Sequence, residues 1–196
     1  MKNTKQTLID ITFDMLYKRG YCATGLMDIL QSANLTKGAM YYHFKNKNEL
    51  VLSAMQYYLE FLLESHWTTP LADSEQPLNT LIEQINALYD LYASDDAFVT
   101  VKHGCPLNNF IQDMSDKEEE FFQYLQSVYS RWQEAMEMAL FKAQNLKQTK
   151  TKFKPKEQAL FIVSAIEGSI CSAKANNDLN TLKISFNVLN QYIKSL

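Results

Sequence analysis

Residues 20–50 read GYCATGLMDILQSANLTKGAMYYHFKNKNEL. The residues divide this stretch into three helical pieces. Thr24 offers a hydroxyl cap for a short helix that buries Met27, Ile29 and Leu30. Asn34–Leu35 make a turn, and Thr36 caps a second short helix reaching Phe44. Asn46 followed by Glu49 has the capping-box pattern and opens a longer helix at about Lys47. Two short helices followed by a long one can read DNA when the second carries polar and cationic groups on one side. Here that helix presents Thr36, Lys37, Tyr41, Tyr42 and His43. Thr36 and its free amides suit a phosphate, Lys37 adds a cation, and Gly38 lets a sugar-phosphate rail approach. Tyr41 and Tyr42 offer flat bodies for sugars or thymine methyls, with hydroxyls for phosphate. His43 and Lys47 stand where the next phosphates would pass, while Met40 and Phe44 face inward. An ordinary half-buried aromatic helix fits the same spacing, which leaves both readings open.

Outward from this stretch the chain reads as all-α, with about nine helices. Its 196 residues hold only five Gly and four Pro, and no Gly-punctuated alternating runs suggest hairpins. A first helix is expected from Thr4 to Arg19, with Gly20 as its stop. The helix opened at Lys47 should run to Trp67 and close at Thr69–Pro70. A helix over 77–94 follows, then an irregular stretch over 95–114 with one short helix. Ser115 to Glu118 has a second capping-box pattern and should open a helix of about thirty residues. Pro155 starts another reaching about Ala175, and the last spans Leu179 to Ser195.

Charge separates a small head from a larger body. The net charge is −3, yet residues 1–55 hold seven Lys/Arg against four acids, and the remainder twelve against eighteen. A +3 head on a −6 body removes the objection that an acidic chain cannot bind DNA. The expected domains are 1–47, which reads DNA, and 48–196, which binds an effector and dimerises. Three scattered cysteines form no disulfide framework, and no apolar stretch has signal-peptide or membrane-spanning length. A cytoplasmic location without membrane association is the expectation. Cys22 and Cys171 read as small buried hydrophobes. His103 and Cys105 lack partners at zinc spacing, and no carboxylate pair or nucleophile–base spacing supports catalysis. No enzyme activity, metal or cofactor is assigned.

The stretch TGLMDILQSANLTKGAMYYHFKNKNEL resembles the DNA-binding signature of TetR-family transcriptional regulators. The matching positions are Thr24, Ile29, Gly38, Tyr41, Tyr42, His43, Phe44, Lys47 and Leu50; Gly25 stands where Ser or Thr is common. The resemblance implies phosphate contacts from Tyr41, His43 and Lys47 and base contacts from Lys37 and Tyr42, with Thr24, Thr36 and Gly38 completing the DNA-binding set. It further implies a homodimer on a palindromic operator in double-stranded DNA. A small organic effector would release this repressor. The segment from Lys102 to Phe110 resembles a Gly-Cys-Pro-Leu-Gly-Asn stretch in part of the family, with Asn108 in place of the second Gly.

Two further surfaces are assigned by residue. The aromatics of the body, as a set, suit an apolar cavity with polar handles. The expected effector residues are Tyr57, Phe61, Tyr89, Tyr92, Cys105, Phe110, Tyr124 and Trp132. For the dimer the stripes of the last two helices supply Ile162, Ile166, Ser169, Leu182, Phe186, Leu189 and Ile193, with Gly168 and Ser172 small enough for close approach. An internal hairpin packing on its own subunit is the other reading of those stripes. Control by a protein partner, or by oxidation of Cys105, is the alternative to a small effector.

Overall fold

The computed structural model describes residues 3–95 and 97–196, leaving Met1, Lys2 and Asp96 outside the described residues. Every element among them is helical: α1 (Thr4–Arg19), α2 (Leu26–Ala33), α3 (Lys37–His43), α4 (Lys47–Leu63), a π-helical turn (Glu64–Thr68), α5 (Thr69–Asp73), α6 (Pro77–Ala93), α7 (Pro106–Met114), α8 (Glu119–Asn145), α9 (Pro155–Asn176) and α10 (Leu179–Ser195). Counted as one rod, the unbroken run from α4 through the π-helical turn to α5 brings the described residues to nine helices, as the composition implies. No helix among them is long and apolar enough to cross a membrane.

The chain forms two compact units. The first comprises Met1–Phe61 with Pro106–Leu125, and the second Leu62–Cys105 with Gln126–Leu196. In the first unit, Leu8 and Leu16 of α1, Ile29 and Leu30 of α2, Met40 of α3 and Leu50 of α4 are all buried. Phe13 anchors the packing. It stacks on Tyr58 at 4.0 Å between ring centres and meets the edge of Phe110 at 5.8 Å. The Tyr58 hydroxyl donates to Asp10 Oδ1 at 2.9 Å; burial first, and this bond second, hold its pKa well above the usual tyrosine value.

In the second unit, α6 supplies Leu81, Ile85 and Leu88, and α8 supplies Trp132, Met136 and Leu140. Trp132 packs against Trp67 of the π-helical turn, with ring centres 5.3 Å apart. Ile162, Val163, Ile166 and Ile170 of α9 meet the core together with Leu182, Phe186, Leu189 and Ile193 of α10. Full burial of each such side chain stabilises the fold by about 1.5–3 kcal/mol. Asn190 Nδ2 donates to Asn86 Oδ1 at 2.8 Å, a polar tie between α10 and α6.

Four expectations about element ends and burial are corrected. The helix opened at Lys47 does not close at Thr69–Pro70. The amide of Thr69 reaches back to the carbonyl of Glu64, a wider turn, and Pro70 then sits in the first turn of α5, where it needs no donor. α2 begins at Leu26 with Gly25 as its cap; the Asp28 carboxylate accepts from the Gly25 amide at 3.3 Å. Ser115 does not open α8: residues 115–117 form a turn, and the helix starts at Glu119. Met27 is 59% exposed, because an eight-residue helix has room for one buried stripe, which Ile29 and Leu30 fill.

Candidate nucleic-acid interface

The head is built around a sharp exit from α1. Gly20 has φ +81, and a Cβ there would lie 2.9 Å from Asp113 Oδ2, so glycine alone fits. The chain then turns through Tyr21, which ties together several elements of the first unit. Its amide donates to Asp113 Oδ2 at 2.6 Å and its hydroxyl to Asn48 Oδ1 at 2.7 Å. Its carbonyl accepts from Lys47 Nζ at 3.2 Å, and the same ammonium sits 4.0 Å above its ring. The ring meets Phe121 edge-on at 5.6 Å. Asn48 Nδ2 in turn donates to Glu118 Oε1 at 2.9 Å. Burial, then the Glu118 charge, raises the tyrosine pKa, and burial lowers that of Lys47.

Against this frame α3 is set with one face in and one face out. Thr36 caps it, its hydroxyl accepting from the Ala39 amide at 3.2 Å. Met40 and Phe44 are buried, whereas Tyr41 is 54% and Tyr42 85% exposed. Thr36, Lys37 and Gly38 are exposed on the first turn, and His43, in edge contact with Tyr42 at 4.9 Å, is half-buried. An exposed tyrosine pair beside a lysine on a seven-residue helix has no packing purpose. It is a surface suited to a polar, anionic partner. Asn34 closes α2 in the left-handed conformation, φ 52, and makes the tight turn into α3.

Two residues of the expected set sit otherwise than the sequence suggested. Thr24 is fully buried, and its hydroxyl donates to the Gly20 carbonyl at 2.7 Å, so it shapes the α1–α2 turn and presents nothing outward. Lys47 is half-buried with its ammonium turned to Tyr21. Sequence reasoning missed Tyr21 and Asp113 altogether. Their partners lie 27 and 92 residues apart in the chain, beyond any local pattern.

The residues expected to meet an effector fall in both units. Tyr57, Phe61, Phe110 and Tyr124 belong to the first; Tyr89, Tyr92, Cys105 and Trp132 belong to the second. Tyr57 and Phe61 are more than half exposed, and the Tyr124 hydroxyl donates to Glu60 Oε1 at 3.3 Å. Phe110 is core. In the second unit the Tyr92 hydroxyl donates to the Gly104 carbonyl at 3.0 Å, and the Cys105 thiol to Glu167 Oε1 at 3.1 Å. Cys22 and Cys171 are exposed rather than buried. Among the described residues no group of three or more His, Cys, Asp or Glu is arranged to hold a metal ion.

The dimer stripes are also corrected. Ile162, Ile166, Leu182, Phe186, Leu189 and Ile193 are buried inside their own chain, and Ser169 is half-buried with its hydroxyl bonded to the Ala165 carbonyl. The outward face of the same two helices carries Leu160, Phe161, Ile184 and Val188, each more than half exposed, with Gly168 and Ser172 between. Spacing identifies an apolar stripe; it does not say which of two stripes meets the chain's own core.

The short capped α3, held by its buried stripe and with its polar face outward, makes the head a helix-turn-helix, the class of DNA-binding regulators. Residues 8–54 match the model of bacterial regulatory proteins of the tetR family, and residues 81–186 that of the C-terminal domain of LmrA/YxaF-like transcriptional regulators. An HTH-type transcriptional regulator in the lacX 3' region of Lactococcus lactis subsp. lactis is 30% identical over 195 residues, spanning 96% of this chain and 92% of that one. The chain belongs to the TetR family of DNA-binding transcriptional regulators. Solved structures share the fold. A TetR transcriptional regulator from Chloroflexus aurantiacus aligns over 97% of this chain and 93% of its own, with a TM-score of 0.84 and 22% identity. SmeT, solved with triclosan, aligns over 97% and 89% with a TM-score of 0.76 and 20% identity; it is the repressor of a Stenotrophomonas maltophilia multidrug efflux pump.

Proposed function

We propose that this regulator is a homodimeric repressor that binds a palindromic operator and is released from it by a small organic effector. The observation that carries the reading is the outward face of α3, with Tyr42 the most exposed large hydrophobic residue of the head. On this reading Lys37 and Tyr42 contact bases, and Thr36, Gly38, Tyr41 and His43 hold phosphate. Lys47 fixes the α1–α2 turn through Tyr21 and adds its charge to the phosphate-facing field. Residues 1–47 serve as the reading head, and 48–196 carry effector binding and dimerisation. A head of this size contacts few base pairs, so specific binding calls for two copies on a two-fold site. The outward faces of α9 and α10 supply the surface for pairing, since their exposed Leu160, Phe161, Ile184 and Val188 are otherwise unexplained in a soluble regulator.

Release by a small molecule is supported by likeness to SmeT, a repressor solved with triclosan. Control by oxidation of Cys105 is less favoured. Its thiol donates to a buried carboxylate, an arrangement that keeps the proton on sulfur. The test is the DNA upstream of the coding sequence. The purified protein should protect an inverted repeat there, and an effector that weakens this complex should itself bind more weakly, by the same factor, once operator is present. Unequal factors would refute the linkage.

A further inference from the structure

Two cations of the head are committed within it: Lys47 turns its ammonium to the Tyr21 carbonyl at 3.2 Å, and Lys18 pairs with Asp14 at 2.6 Å. Two other lysines are differently placed. Lys5, in the first turn of α1, holds its ammonium 5.7 Å from the ring centre of Phe44, the residue that closes α3. Phe44 is buried and Lys5 exposed, so the ring steers the lysine while its charge stays in water. Lys45 follows Phe44 directly and is also exposed. Its backbone is fixed by the cap of α4. The Lys45 amide donates to Glu49 Oε2 at 2.6 Å, and the Glu49 amide donates to Asn46 Oδ1 at 2.8 Å. The two lysines are far apart in sequence, yet both come to the C-terminal end of α3.

The first turns of the head's helices point the same way. α2 and α4 carry acids there, Asp28 and Glu49, as the helix dipole favours. α1 and α3 have no acid in the first turn and carry Lys5 and Lys37 instead. A cation in that position works against its own helix, a cost that an external anion offsets. We propose that Lys5 and Lys45 form a second phosphate clamp at the C-terminal end of α3, opposite Thr36, Lys37 and Gly38 at its start. Its ligand is the sugar-phosphate backbone of double-stranded DNA. This rests on α3 being the DNA-facing helix. A helix in the major groove lies between two phosphate rails, the groove being about 12 Å wide, and seven residues make α3 roughly 10 Å long. Lysine at the start of α3 alone would leave its other end without a full cation; Lys5 and Lys45 supply two. Phosphate contacts carry no sequence information but set register, so the clamp fixes where Lys37 and Tyr42 meet the bases.

The probe is a fluorescein-labelled duplex of random sequence, titrated with the full-length protein over a series of KCl concentrations. Lys5→Met keeps an apolar stem beside Phe44 and removes only the charge; Lys45→Gln removes the charge at an exposed bend. Each should flatten the slope of log K against log salt by roughly one unit per reading head, and the two together by roughly two. Tm and helix content should match the wild type, since both side chains are exposed. A lysine that served only to cover Phe44 would leave the slope unchanged in Lys5→Met. Arg19→Gln removes an exposed cation from the far end of α1 and should leave the slope as it is. Flattening there as large as at Lys5 would mean a diffuse field rather than a clamp, and overturns the proposal. An unchanged slope in either Lys5→Met or Lys45→Gln, with Lys37→Gln flattening it, overturns the clamp and leaves α3 as the DNA-facing helix. If Lys37→Gln changes nothing either, that role of α3 falls with it.

Discussion

The reading head and the α9–α10 pair are built from the same material, amphipathic helices, yet they differ in what their outward faces say. In α3 a seven-residue helix has one buried anchor, Met40, and everything else it shows is polar or phenolic. In α9 and α10 the helices are long and apolar on two sides. One stripe, with Ile162, Ile166, Leu182 and Phe186, is core, and the other, with Leu160, Phe161, Ile184 and Val188, faces out. A short helix must spend its few apolar residues on anchoring, so its exposed face reports a partner directly. A long helix with two stripes does not say, from its spacing, which of them meets its own core.

That contrast can be broken most decisively at the outer stripe. Replacing Ile184 and Val188 together by Glu should turn a dimer into a monomer in sedimentation equilibrium. Operator affinity should then fall toward the non-specific level, a loss on the order of a thousandfold, with helix content retained because both residues are exposed. A dimer that survives would assign pairing to another surface. At the head, Tyr42→Ala should weaken operator binding by about 1–3 kcal/mol in fluorescence anisotropy and relax sequence preference if Tyr42 meets bases as proposed. Uniform weakening across sequences would make Tyr42 a phosphate contact instead. The smallest effect is expected at Lys47. Lys47→Ala should flatten the salt dependence of binding by roughly one unit if the ammonium serves phosphate. An unchanged slope with a lowered Tm would confine its role to Tyr21, over whose ring it sits.

The same contrast explains how far the sequence could be read. Caps are local, and so Thr36, Asn46 and Gly20 announce their helix ends correctly. Thr24 has the right chemistry for a cap but is drawn inward to the Gly20 carbonyl, leaving Gly25 to start α2. Pro70 looks like a stop until the preceding turn widens to accommodate its missing amide hydrogen. Tyr21 is opaque for a different reason. Its ties to Asn48, Asp113 and Phe121 are made by the tertiary fold, and no spacing within residues 20–50 marks them. The body shows its limit at Cys171, which composition places inside and the two-sided helix α9 places outside. The head was thus legible as three helices with their turns and the inward stripe of α3, while the body was legible as helices and stripes but not as surfaces.

The chain contains only two tryptophans, and they are neighbours across the π-helical turn and α8. Its ultraviolet emission therefore has a single address. Excitation at the red edge of protein absorption will report the surroundings of Trp67 and Trp132 and stay silent about α3, which has no indole. Two indoles at this separation also couple electronically, so near-ultraviolet circular dichroism should carry a paired band that collapses when either ring turns. The regulator comes with a built-in optical gauge in its second unit, and the head needs a label of its own.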